Sequence, residues 1–422
     1  WIPGADHAGF ETQVVFEEKL KKEDRSRFGM NPKDLYQEIL AFTLKNKKNM
    51  ESQVRSLGAS CDWSREKFTL DSDVVLKTQE TFIKMFNEKL IYRGERAINW
   101  CPKHETSLSE VETESTEETS PFYYFKYGPF EIGTVRPETK FGDKYVVMHP
   151  DDPRYQEYKH GDKLKLEWIN GPITATIIKD EAVDMEFGTG AMTITPWHSQ
   201  VDLEIAKRHN LDIEQIIDWR GKLLPIAGEF SGMNIKIARP KIVEKLESKG
   251  LLTRIDQEYK NVIKKCYKCG TIIEPQVKDQ WFVKMAPLAK LAIDAINRKE
   301  IRFIPNNYEK IFRYWMENTI DWNISRQIIW GIPIPAWFRD GEITASIEEP
   351  VGEGWVKDSD TFDTWFSSGQ WPLIVTGYPD GADYKTYYPT DVMETGHDLI
   401  FKWVPRMVIF GLYLTKKVPF HT

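Results

Sequence analysis

The chain has 422 residues, 41% hydrophobic and 29% charged, values that suit two or three globular domains and exclude a disordered or membrane-embedded chain. A formal net charge of −7 and a pI near 5.8 exclude nucleic-acid binding by bulk positive charge, so any RNA contact has to be local and shape-dependent. Four cysteines are too few for a disulfide framework and favour a reducing cytoplasm, and the most apolar segment, 407–414, is too short to span a bilayer.

Trp1 opens the chain with no charged and apolar leader behind it, so no signal peptide is expected and the chain reads as an internal stretch of something longer. Residues 1–9 read as a strand end running into a small-residue loop, where an open α/β sheet presents polar groups to a ligand; Asp6 is the candidate. Asn31-Pro32 predicts a helix start, with Leu35, Ile39, Phe42, Met50, Val54 and Leu57 as its apolar stripe and Gly58 as its stop. Asp71-Ser72-Asp73 predicts the cap of a second helix, with Val75, Phe82, Phe86 and Leu90 inside and Gly94 after it. Residues 105–120, rich in Ser, Thr and Glu without a hydrophobic period, read as an exposed connection. Short β-like runs at 122–127, 145–148, 164–168 and 173–178 then predict a compact, barrel-like β domain, followed by helices over 204–209 and 236–249. Beyond this the α/β character returns, with a helix over 287–297, a Trp-dense run over 313–337, and strand, loop and helix over 363–371 and 392–414.

Cys101/His104 and Cys266/Cys269 each have the two-residue spacing of a knuckle that offers both ligands to one tetrahedral ion, and Cys3His is a structural zinc set. Each pair leads into a plausible strand, at 107–112 and 271–275. If both bind one ion, the roughly 160 residues between them form a closed insertion, at a loop-closure cost of about 4 to 5 kcal/mol that a structural zinc can supply. The alternative is two unrelated reduced pairs, with His104 on a solvated turn.

The chain has no Walker phosphate loop, no dinucleotide Gly-x-Gly-x-x-Gly and no His-Glu-x-x-His. It does carry, in order, Pro3-Gly4-Ala5-Asp6-His7-Ala8-Gly9, Leu57-Gly58-Ala59-Ser60-Cys61-Asp62-Trp63-Ser64-Arg65, Arg136-Pro137-Glu138-Thr139 and Gly188-Thr189-Gly190-Ala191. Ser325-Arg326-Gln327-Ile328-Ile329-Trp330-Gly331, Asp363-Thr364-Trp365-Phe366-Ser367-Ser368-Gly369 and Glu394-Thr395-Gly396-His397-Asp398 follow. Over essentially the whole chain these stretches resemble the valyl-tRNA synthetases of class I. Isoleucyl and leucyl relatives share the architecture but differ in the first motif.

The resemblance implies an α/β fold in which a Rossmann-like class I catalytic domain is split by a β-rich editing insertion, with zinc knuckles near its ends. The boundaries are then 1–119 for the first catalytic part, 120–262 for the editing domain and 263–422 for the remainder. It implies a valine–tRNA ligase fragment that uses ATP with Mg2+, valine and tRNA(Val), works in the cytoplasm as a monomer and carries a structural Zn2+. The family's two ATP signatures would lie outside 1–422, so little adenylate formation is expected of these residues alone. Asp6 matches the position that pairs with the substrate ammonium, Trp330 and Trp365 match pocket tryptophans, and Gly396 and Asp398 match positions that meet the adenosine ribose. Arg136, Thr139, Thr195 and Asp202 fall on editing positions, with Asp202 holding the ammonium of the misattached residue. Thr193 stands where valyl enzymes usually have Lys, and Ser199 where they usually have Asp. An editing-only deacylase is a rival reading, against which the flanking Asp6, Trp330 and Trp365 speak. A zinc-stabilised RNA-binding module is another, against which the acidic balance speaks.

Overall fold

The helix start at Asn31 holds in the computed structural model, which describes residues 1–422: the Asn31 side chain accepts from the Lys33 N–H at 2.9 Å and the helix runs Pro32–Ser56. Gly58 follows with φ +78, a left-handed conformation that costs a residue without a Cβ nothing. Only Leu35 and Ile39 of the expected stripe are buried, whereas Met50 and Leu57 are 43% and 87% exposed. The helix outruns the core it packs on, so its second half keeps the apolar pattern without a partner.

The chain divides into two units, one made of Trp1–Gly94 with Gln280–Thr422 and the other of Glu95–Asp279, a continuous run that interrupts the first. In the first unit, Gly4–Ala5 pairs in parallel with Lys67–Phe68, Gly4 opposite Lys67. A helix over Gly9–Lys22, unforeseen in the sequence, follows the small-residue loop; it has no side-chain cap at Ala8, and so lacks the usual start signal. The second expected helix is Ser72–Asn87, but Asp71 Oδ2 turns back to accept from the Phe68 N–H, and Gly94 lies inside the strand Ile91–Cys101 instead of ending the helix. Lys89, with φ 60, makes the reversal.

The core of this unit joins Phe82, Trp281, Phe362, Phe366 and Phe410 with the helices Met285–Asn297 and Val404–Thr415. Every residue from Val404 to Tyr413 is buried, including Arg406, whose guanidinium lies 3.9 Å over the Trp322 ring. Each large side chain buried in this way contributes about 1.5 to 3 kcal/mol of transfer free energy, before the entropy of ordering it. No helix of the chain is long and apolar enough to cross a membrane.

The second unit holds the β-rich part. Its four-stranded sheet runs Ala191–Thr193, Tyr145–Met148, Gly171–Lys179, Lys163–Trp168, and its three-stranded sheet Leu252–Asp256, Phe122–Tyr127, Phe130–Thr134. Both sheets line one core, in which Phe125 and Ile132 meet Val146, Trp168 and Ile177. Tyr123, Phe125 and Tyr127 line this core from one face of their strand, while Lys126 on the other face is exposed.

The exposed connection expected over 105–120 takes regular structure, and its first part, 106–109, is buried. Thr106–Leu108 is a strand, Ser109 and Glu112 form a capping box around a single turn, and Thr113–Thr119 pairs along its length with Lys260–Cys266. This ribbon is exposed, so no hydrophobic period marks it. Cross-strand charge does, with Lys260 Nζ 3.2 Å from Glu117, and Lys264 Nζ 2.8 Å from Glu110 on the turn before the ribbon. The strands expected at 107–112 and 271–275 shrink accordingly to Thr106–Leu108 and the start of Glu274–Val283.

Candidate functional sites

Asp6 stands on the loop between Gly4–Ala5 and the Gly9–Lys22 helix, its side chain 35% exposed. Its Oδ1 accepts from the Ala8 N–H and from Thr364 Oγ1, both at 2.6 Å, so it caps its own turn and also ties the loop to the second half of the unit. Beside it opens a cavity of about 350 Å3 lined by Glu11, Thr12, Phe42, Lys47 and Phe68. Trp330 is fully buried under this loop: its Nε1 donates to His7 O at 2.8 Å and its ring packs on Tyr36. Trp365 is half-buried in the first turn of Thr364–Ser368, next to the Thr364 that reaches Asp6. The three candidates thus sit on linked elements, with Trp330 as floor and Asp6 and Trp365 nearer the surface.

Sequence reasoning passed over two supports of this arrangement. His7 is buried, with its backbone N–H and its Nδ1 both 2.7 Å from Thr69 Oγ1; burial pushes its pKa down, against the pull of Asp6. Its place in a small-residue loop beside Asp6 was the available signal. The second is a buried ion pair, Arg326 Nη2 to Asp363 Oδ2 at 2.7 Å, with 1% and 0% of the two side chains exposed. Trp322 Nε1 donates to the same oxygen at 2.9 Å, and Asp363 Oδ1 accepts from the Trp365 N–H at 2.9 Å. Two motif stretches, 325–331 and 363–369, are stapled together through this carboxylate. Gly396 and Asp398 lie in an exposed segment that turns at His397–Ile400.

In the second unit Arg136, Thr139, Thr195 and Asp202 converge. Thr139 Oγ1 donates to Arg136 O at 3.0 Å, Thr195 Oγ1 to Thr139 O at 3.4 Å, and the Thr195 N–H to Asp202 Oδ2 at 2.7 Å. Asp202 is 9% exposed, at the third position of the helix Gln200–Arg208, and Ser199 is that helix's N-cap, accepting from the Asp202 N–H at 3.3 Å. Burial raises the pKa of Asp202, against the Thr195 N–H and the nearby Lys140. Arg136 is committed to two carboxylates: Glu274, which it contacts closely, and Glu138, at 3.4 Å. Glu138 is buried and also takes Arg239 through two bonds of 2.6 and 2.8 Å. His198 is a strut: its Nε2 accepts from the N–H groups of Ile216 and Ile217 at 3.1 Å, which leaves the proton on Nδ1 to donate to Pro275 O at 3.0 Å.

Cys101, His104 and Cys269 bring their ligand atoms within 4.8 Å of one another. Cys266, the fourth expected ligand, is buried at the end of the strand Lys260–Cys266 in the same unit but is not one of these three. His104 is buried, contrary to the solvated turn of the alternative reading. Two sulfurs on a tetrahedral zinc, each at about 2.3 Å, stand about 3.8 Å apart; Cys101 Sγ and Cys269 Sγ are 3.7 Å apart. Thiols this close cannot all ionise alone: hydrogen bonding to Cys266 and Cys269 holds Cys101 far up, while the thiols of Cys101 and Cys266 push Cys269 down. The donor set fits a divalent ion.

Over its full length the chain is 40% identical to a valine–tRNA ligase of Pseudothermotoga lettingae, covering 50% of that protein. It is 42% identical to the one of Staphylococcus carnosus and 40% identical to the one of Bacillus subtilis, covering 49% of each. The chain therefore spans about half the length of these curated relatives. A solved ternary complex of an Agrobacterium radiobacter K84 LeuRS with tRNA and LeuAMS covers 93% of this chain and 57% of its own, at 14% identity and a TM-score of 0.39, a likeness too slight to build on. The pattern described as tRNA synthetases class I (I, L, M and V) matches residues 1–352 and 342–422. With that pattern running unbroken through the mixed α/β unit and the β-rich unit inserted in it, the chain belongs to the class I tRNA synthetases.

Proposed function

We propose that the chain is part of a valine–tRNA ligase, with the Asp6 loop and Trp365 as part of the valine site and the Thr195–Asp202 cluster as the core of a hydrolytic editing site. In this reading the Rossmann-like catalytic body is 1–119 with 263–422 and the editing insertion 120–262, so that the segments 95–119 and 263–279, which fold with the inserted unit, carry the knuckles at its two ends. Valine's carboxylate displaces pyrophosphate from ATP·Mg2+, and a hydroxyl of the terminal adenosine of tRNA(Val) then attacks the adenylate and releases AMP. Gly396 and Asp398 are the positions that would meet the ribose. A pocket that admits valine rejects threonine weakly, since the two are near-isosteres; valyl enzymes are the known example of that limit. A water-driven cleavage of the threonyl ester at a second site restores accuracy.

The observation that carries the editing part is Asp202: a carboxylate nine-tenths out of water, kept in place by the Thr195 N–H, in a unit that interrupts the body of the chain. The experiment is single-turnover hydrolysis of threonyl-tRNA(Val) and valyl-tRNA(Val) by the chain. Threonyl-tRNA is expected to be cleaved many times faster; equal rates, at the level of free solution, would sink the reading.

One zinc is assigned to Cys101, His104, Cys266 and Cys269, which would hold together the two ends of the inserted β-rich chain. Elemental analysis of purified protein should find about one zinc per chain, and a chelator should lower the melting temperature of the Glu95–Asp279 unit. A chain with no zinc and no response to chelation contradicts the assignment.

A further inference from the structure

Lys140 is a lysine out of place. It lies in the single turn Pro137–Gly142 and is 6% exposed, although lysine is rarely buried without a strong reason. Its Nζ donates to Thr193 Oγ1 at 2.9 Å and to Thr193 O at 3.4 Å, on the strand Ala191–Thr193. Its nearest carboxylate oxygen, Asp143 Oδ1, is 3.6 Å away, beyond hydrogen-bond distance. Both carboxylate oxygens of Asp143 are out of water and face Lys140 and the Thr193 hydroxyl without a hydrogen bond closing within 3.5 Å, while the Asp143 carbonyl takes the Tyr127 hydroxyl at 3.0 Å. An ion pair built only to hold the fold would close to about 2.8 Å; this one stays open and shares its cation.

The sharing extends to Asp202, which is joined to the Lys140 turn through Thr195: the Thr195 N–H donates to Asp202 Oδ2 at 2.7 Å and its Oγ1 to the carbonyl of Thr139, the neighbour of Lys140, at 3.4 Å. The ionised forms of Asp143 and Asp202 oppose each other, and Lys140 favours both. The other groups facing them are accounted for. Arg136 acts on Asp202 from the start of the same turn but is engaged by Glu274 and Glu138. Ser199, Thr193 and Thr195 are uncharged, and Glu138 is turned to Arg239.

We propose that Lys140 is a positioning residue of this site: its ammonium is the buried charge that lets Asp143 and Asp202 stand together as carboxylates, and so keeps Asp202 able to receive the ammonium of an aminoacyl ester. Only the last step rests on the hydrolytic reading above; the charge arrangement stands by itself. In the sequence Lys140 looks like one more surface lysine three residues before an aspartate.

Two measurements test it with separate outcomes. The first is thermal unfolding of the chain from pH 4 to pH 8. Burial pushes Asp143 up to about 6, with Lys140 opposing. A carboxyl whose folded pKa lies above its unfolded value stabilises most below the unfolded value, and that contribution is lost as pH rises through the folded one. The wild type should therefore lose a contribution to its melting temperature between about pH 4 and about pH 6. In K140M the loss should extend upward by about one to two pH units, the size of shift a neighbouring charge produces. K140R should restore the wild-type window and D143N should abolish this loss. The same window in K140M as in the wild type would overturn the proposal. If K140M does not fold, folding of K140M/D143N supports it and failure of that double variant to fold overturns it.

The second measurement is the pH profile of threonyl-tRNA hydrolysis. Its acid limb should move upward in K140M and return toward the wild type in K140M/D143N, a rescue by charge removal that a packing role would not give. An acid limb that stays put in K140M overturns the link to Asp202. If the wild type cleaves no threonyl-tRNA, the hydrolytic reading falls, and the thermal scans still decide what Lys140 does.

Discussion

Asp363→Ala is expected to destabilise the unit formed by Trp1–Gly94 and Gln280–Thr422 by about 3 to 5 kcal/mol, the cost of leaving a buried charge without its partner. Arg326 is 1% exposed and cannot turn its guanidinium to water. Its Nη1 bonds, to Asn323 O at 3.1 Å and Ser325 O at 2.9 Å, hold it in place after the carboxylate is gone. The substitution also removes the acceptor of Trp322 Nε1 and the cap of the Thr364–Ser368 turn, and loss of a cap alone costs about 1 kcal/mol. Asp363→Asn, which keeps the shape and the cap, isolates the charge. Because two units need not unfold together, hydrogen exchange of peptides over 322–330 and 361–371 is the measurement to make. A change below about 1 kcal/mol in those peptides would mean that the pair is not the staple its geometry indicates.

The second large effect concerns hydrolysis. Asp202→Asn should slow cleavage of threonyl-tRNA by well over tenfold, since a buried charged partner removed from a cationic group costs about 2 to 5 kcal/mol. Asparagine can still accept from the Thr195 N–H, so the local fold is kept and the loss reports on charge. Ser199→Ala should cost tenfold or less. Its hydroxyl accepts from the Asp202 N–H as a helix cap, a contribution of about 1 kcal/mol that acts on the Asp202 turn from behind. The wild-type rate should fall with acid at a pH above the ordinary carboxylate range, because burial raises Asp202. An Asp202→Asn chain that edits like its parent would mean that the ammonium anchor is elsewhere in this unit.

Several parts of this arrangement could be read from the sequence because they follow from local rules. Asn31-Pro32 is both cap and first helical residue by its own chemistry, and 122–127 is dense in the aromatic residues that suit a strand. Cys101/His104 and Cys266/Cys269 declare a possible ligand set through their spacing alone. Other parts were illegible for a physical reason. The Gly9–Lys22 helix starts without a cap, and the Thr113–Thr119 strand is polar on both faces, so neither carries a local signal.

The helix start at Asn31, the aromatic strand over 122–127, the spacing of Cys101/His104 and Cys266/Cys269 and the class I motifs depend only on neighbours along the chain, and the sequence by itself determined them. Which charges lose their water depends on what the rest of the chain stacks around them, and only the tertiary structure decided that. Lys140, Asp143, Arg326 and Asp363 look like any other charged residues in the sequence. Packing puts all four out of reach of solvent, where a missing partner costs several kcal/mol instead of almost nothing, so each must answer to another charge. Trp330 shows the same for an apolar group: its motif suggested a pocket wall, and folding buried it completely as the floor beneath the Asp6 loop.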